Sequence, residues 1–238
     1  MIENLNIKKT PKQFLLEAKI GTWSAVGVTI ASSMFLIALI VTFVIFPLNF
    51  SWPGVEVYAQ SYVEHYWQIL MFVVPCFFIA PLYLILTVSI HRFTPEEKKI
   101  LSLLGIVFAV AYLAQITANY YLQMSAIPQS ISSGLLDGTT LFAFGNLNSI
   151  FWSMEILGYT WLSLSMLFIG LLFSDGKMEI AIKWIFVING ILGVIAIIQA
   201  VTHLDFGFPF SLVLFAFTFP AATAMIARLF NRTKKTMI

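Results

Sequence analysis

The chain has 238 residues, of which 60% are hydrophobic and 10% charged, with a formal net charge of +2 and a mean hydropathy of +0.92. Soluble domains carry roughly a quarter charged residues, and a chain this apolar would expose more hydrophobic surface in water than they tolerate. A soluble globular protein is therefore excluded, and the lipid bilayer is the expected surrounding. The single cysteine, Cys76, excludes an internal disulfide and is expected to be a small apolar side chain in a helix.

Residues 1–21 form a polar, basic segment with Lys8, Lys9, Lys12 and Lys19. Within it Thr10-Pro11-Lys12-Gln13 has the chemistry of a helix start. Thr10 can cap, Pro11 suits the first helical position, and Gln13 can reach back as in a capping box. A short interfacial helix is predicted here, with Phe14, Leu15 and Ala18 turned to the bilayer surface. A cleaved signal peptide is not expected, because the following apolar run is too long and lacks a small-residue cleavage site.

Six apolar stretches occupy residues 22–230, at about 22–48, 67–91, 99–124, 146–173, 179–203 and 208–230. A spanning helix needs roughly 20 residues, and each stretch supplies them. The expected fold is all-α: an integral membrane bundle of six transmembrane helices, an N-terminal interfacial helix and a basic tail at 231–238. Pro75, Pro81 and Pro220 are expected to kink their helices. Asn189 is expected to pack helices together beside Gly190 and Gly193.

Orientation follows from the basic residues. All 13 Lys and Arg lie in 1–21, 91–99, 174–183 and 228–238. The alternate segments, 49–66, 125–145 and 204–207, contain none but carry Glu56, Glu64, Asp137 and Asp205. The positive-inside rule then puts both termini in the cytoplasm, with the plasma (inner) membrane as the expected location. Trp52, Tyr58, Tyr62, Tyr66 and Trp67 have the composition of an interfacial aromatic belt, and Val55 to Tyr66 is read as a short helix on the membrane. Segment 125–145 either rests on the headgroups or covers the mouth of a pocket.

The fourth stretch holds the most informative residue. Glu155 lies about ten residues into it, roughly 15 Å below its outer end at about 1.5 Å per residue. A charged side chain at a helix centre costs about 2.5–3.5 kcal/mol on the insertion scale, so such residues usually face a bundle interior. At helical spacing Asn148, Trp152, Glu155, Tyr159 and Ser163 share one face. Other polar groups occupy the same outer half: Gln115, Asn119 and Gln123 on the third stretch with Tyr112 beside them, Gln199 and His203 on the fifth, and Glu64 and His65 before the second. If these faces meet they form an outward-opening polar pocket. Two readings of Glu155 stand. It is either a proton or cation site flanked by aromatics suited to a cationic or unsaturated ligand, or a neutral acid that joins helices through Asn119 or Gln115.

No zinc-binding His-Glu-x-x-His, nucleophile elbow or Walker loop is present. His65, His91 and His203 have no metal-ligand spacing, and no lysine lies mid-helix. No cofactor, metal or nucleic acid is therefore expected, and an enzyme is disfavoured. The run Phe151-Trp152, Glu155, Leu157-Gly158-Tyr159 resembles a stretch in a prokaryotic family of six-helix membrane proteins of unknown function. The resemblance implies a six-helix fold and transfers no functional residue. Three functions fit the pattern: a carrier or receptor for a small or amphipathic ligand, an accessory subunit binding another membrane protein, and a membrane-embedded enzyme acting on a lipid or isoprenoid.

Overall fold

A computed structural model describes residues 10–44, 52–202 and 208–235. Its helices are α1 (Pro11–Val44), α2 (Val55–Arg92), α3 (Lys99–Met124), α4 (Ala126–Ser132), α5 (Thr139–Phe142), α6 (Ile150–Gly170), α7 (Gly176–Thr202) and α8 (Phe208–Lys235), with a 3₁₀ turn at Glu96–Lys98. The capping box before α1 is formed: Gln13 N–H donates to Thr10 Oγ1 at 3.3 Å, and Thr10 N–H donates to Gln13 Oε1 at 3.2 Å. The helix it starts runs to Val44 as one element, so residues 11–21 are its first turns and not a separate interfacial helix. Phe14 and Ala18 are buried in the bundle instead of facing lipid, and the Phe14 ring meets Phe93 edge-on at 5.1 Å. The cause is a stripe of small residues, Ala18, Ser24, Ala25, Ala31 and Ser32, that lets α1 approach its neighbours closely.

α2 also differs from the sequence expectation. Residues 55–66 are continuous with the apolar stretch, and the one residue with non-helical backbone is His65 (φ −118°, ψ 17°). Pro75 and Pro81 lie inside the helix without taking it out of helical φ/ψ. Trp52, Tyr58, Tyr62 and Tyr66 form a file of rings with successive centroids 5.1, 5.6 and 5.3 Å apart. The Tyr62 hydroxyl donates to Gln123 O at 3.0 Å, tying this end of α2 to α3.

Six long helices form a ring in chain order: α1 packs on α2, α2 on α3, α3 on α6, α6 on α7, α7 on α8, and α8 returns to α1. Thr29 and Thr223 share a hydroxyl–hydroxyl hydrogen bond of 2.9 Å across the closing contact. Tyr83 fills the middle. It is fully buried, hydrogen-bonds Ser165 Oγ at 3.1 Å, and touches the rings of Tyr112 (6.5 Å) and Phe219 (5.9 Å). The outside of the ring is apolar, and on α7 the exposed side chains Ile180, Trp184, Ile188, Ile191, Ile195 and Ile198 recur at helical spacing. Among the described residues, five helical segments are long and apolar enough to cross a membrane: 11–41, 55–92, 96–132, 176–202 and 212–234. The chain is thus an all-helical, multi-pass membrane protein.

Candidate functional site

α6 begins later than its apolar run suggests. Ser149 caps it by accepting from Trp152 N–H at 3.5 Å. Asn148 therefore precedes the helix. Its backbone N–H donates to Asn146 Oδ1 at 3.1 Å and its side chain is exposed, so it leaves the face assigned to it. Glu155 is correspondingly shallower, five residues into α6 and about 8 Å from the helix start.

The α3 amides do meet α6, but largely through its backbone. Gln115 Nε2 donates to Met154 O at 2.8 Å, and Gln115 Oε1 accepts from Trp161 Nε1–H at 3.1 Å. Asn119 Nδ2 donates to Phe151 O at 3.1 Å and to Glu155 Oε2 at 3.3 Å. The Tyr120 hydroxyl donates to Glu155 Oε1. Gln123 points elsewhere, donating to Phe142 O at 2.7 Å, and so fastens the α5 connection over the end of the bundle opposite the basic residues. Trp152 does the same through Nε1–H to Phe144 O at 2.7 Å. Gln199 is not joined to this network, and its Nε2 is buried without a hydrogen-bond partner among the described residues. His203 lies outside the described residues. His65 is exposed, with Nδ1 3.0 Å from Ser61 O, and Glu64 is exposed as well.

The other side of Glu155 faces a half-open cavity of about 90 Å³ between α6, α7, α8 and α1, lined by Glu155, Trp152, Tyr159, Asn189, Phe215 and Phe35, among others. Of the residues read from sequence as a ligand site, Glu155, Trp152 and Tyr159 line this cavity; Gln115, Asn119, Gln123, Gln199 and Asn148 do not. Small residues hold α6 close against α7 along one side of the cavity. Gly190 packs on Ser163 and Leu167 so closely that an added Cβ would lie 2.9 Å from Ser163 O. Gly193 faces the Ser163 side chain, and Thr160 Oγ1 donates to Gly193 O at 3.3 Å. Asn189 reaches across to α8, donating from Nδ2 to Thr218 Oγ1 at 2.9 Å and to Ile185 O at 2.8 Å. The helix-packing role read for Asn189 is correct, and it also lines the cavity.

Two participants went unrecognised in the sequence. Tyr120 is next to Asn119 in the chain, and its hydroxyl is the second donor to Glu155. Cys76, buried in α2, accepts from the Tyr159 hydroxyl at 3.5 Å. Tyr112 packs edge-on to Tyr159 at 5.9 Å, and its own buried hydroxyl has no hydrogen-bond partner among the described residues. The outcome is a carboxyl held from one side by two neutral donors and open on the other to an aromatic, mainly apolar cavity. No protein-family model, curated protein or solved structure matches the chain.

Proposed function

We propose that this protein is a carrier or receptor that binds a small or amphipathic ligand in the cavity beside Glu155. In this reading the chain crosses the plasma (inner) membrane six times with both termini in the cytoplasm, and the cavity lies in the outer half of the bilayer. α6 counts as the sixth span: its 21 residues cover about 31 Å, and it packs along α3 and α7.

The observation that carries the proposal is that Glu155, besides bonding α3 through Asn119 and Tyr120, lines a cavity. A merely structural acid would be enclosed on all sides by its partners. Gln115 and Asn119 of α3, the polar groups a membrane-protein partner would need, are spent on α6, and this weighs against the accessory-subunit reading. The test is a thermal-shift screen of small amphipathic compounds of mixed charge on the detergent-purified protein and on Ala196→Phe, which fills the cavity from α7. Compounds that stabilise the wild type and lose their effect on Ala196→Phe are expected. If no compound distinguishes the two proteins, the cavity is not a binding site.

A further inference from the structure

The hydrogen-bonding groups around the cavity are unevenly spent, and this narrows the chemistry of what can bind. Nearly every N–H and O–H on its wall is already committed. Trp152 Nε1–H goes to Phe144 O, the Tyr159 hydroxyl to Cys76 Sγ, Thr160 Oγ1 to Ile156 O, and both Asn189 Nδ2 bonds to Ile185 O and Thr218 Oγ1. What remains are acceptors. Each Glu155 oxygen takes one donor, from Tyr120 and Asn119, and a carboxylate has about four lone-pair sites. Asn189 Oδ1 receives no hydrogen bond from the described residues, and Ser163 contributes a hydroxyl that can act either way. Among the described residues no Lys, Arg or His lines the cavity.

A site whose open groups are mostly acceptors, with the Ser163 hydroxyl as the one uncommitted donor among the described lining residues, disfavours anions and gives a carbonyl or ether ligand little to bind, because desolvating a polar group unpaired is costly. It suits a ligand that supplies N–H donors and positive charge. The rest of the wall is apolar and aromatic, with Phe35, Phe215, Trp152 and Tyr159 available to an alkyl or aryl body and, near the head, to cation–π attraction. We infer that the ligand is a small amine bound as its ammonium, with its N–H groups on Glu155 and an apolar body against Phe35 and Phe215. This inference rests on the cavity being the binding site. The volume of about 90 Å³ has room for several water-sized groups, which matches an ammonium head and a short chain. A longer tail would leave through the open side.

The test uses three probes of one shape and different heads: hexylamine, hexanol and hexanoate at neutral pH. Each is titrated onto full-length wild type, Glu155→Gln, Glu155→Asp and Ala196→Phe in the same detergent. Hexylamine should bind saturably and at least tenfold more tightly than the other two. Glu155→Gln should bring its affinity down to that of hexanol, and Ala196→Phe should abolish it. If Glu155→Gln does not fold, Glu155→Asp, which retracts the charge, should still weaken hexylamine selectively. Equal binding of hexanol and hexylamine, or hexylamine binding indifferent to position 155, overturns the ammonium assignment; continued sensitivity to Ala196→Phe would then leave the cavity itself standing as a site. Absence of saturable hexylamine binding also overturns the assignment, and the cavity reading is then decided separately by the broader screen.

Discussion

Removing the Glu155 carboxyl should convert its partner Tyr120 from an asset into a liability. In Glu155→Leu the Tyr120 hydroxyl, on a residue that is 3% exposed, loses its acceptor, whereas Asn119 keeps Phe151 O. Leaving one buried donor unsatisfied costs about 1–3 kcal/mol. Interhelical polar contacts in a membrane protein average only about 0.6 kcal/mol because the unfolded chain in lipid also finds partners, so a value near the lower end is expected. Tyr120→Phe alone should cost about 0.5–1.5 kcal/mol, the usual worth of one hydrogen bond. In the Glu155→Leu background the same substitution should be neutral or stabilising, because it removes the orphan. The assay is a double-mutant cycle on reversible unfolding in detergent or bicelles, with Glu155→Gln as a control that preserves an acceptor. A Tyr120→Phe cost that is the same in both backgrounds would refute the reasoning.

Gly190→Ala should destabilise by about 1–3 kcal/mol, the range for overpacking, because its Cβ would meet the Ser163 carbonyl, which cannot move aside as a side chain would; chemical denaturation reads this. Gly193→Ala should be rescued in part by Ser163→Gly, because the obstruction there is both Oγ and Cβ of Ser163, and an absence of rescue would contradict the packing described. In a Cys76→Ala background, a cysteine at exposed Ser133 should react with an impermeant thiol reagent added to intact cells and one at exposed Lys177 should not; the reverse pattern would invert the topology. Glu17→Gln, which breaks the 2.8 Å pair with Arg92, should cost less than about 1 kcal/mol because the Arg92 end is half exposed.

Helix content and membrane residence were legible because apolar runs of span length have few alternatives. The helix boundaries were less so. Nothing in the apolarity of residues 146–173 distinguishes Ser149 as a cap from another polar residue inside a helix, and the four-residue error that resulted misplaced Asn148 and overestimated the depth of Glu155. Residues 11–21 read as interfacial because a basic amphipathic start looks the same whether it lies on a membrane or extends a span. Helical spacing identified which side of α3 meets α6, and hence the contact between Asn119 and Glu155. It could not show that Gln115 and Asn119 would satisfy backbone carbonyls on α6, because that depends on the relative height of the two helices. The cavity was invisible for a similar reason: Phe35, Asn189 and Phe215 come together only through the order of helices around the ring.

That order has a consequence for how the protein is made. Each ring helix after the first packs on the ring helix synthesised before it, so most of the ring can assemble pairwise as the chain emerges. The contact between α8 and α1, clasped by Thr29 and Thr223, must wait for the final 28-residue helix. The cavity beside Glu155 needs walls from both of those helices, so it forms only after α8 has been made. A nascent or truncated chain ending before α8 would carry Glu155 with its Tyr120 and Asn119 partners already in reach, yet have no enclosed cavity in which to bind anything.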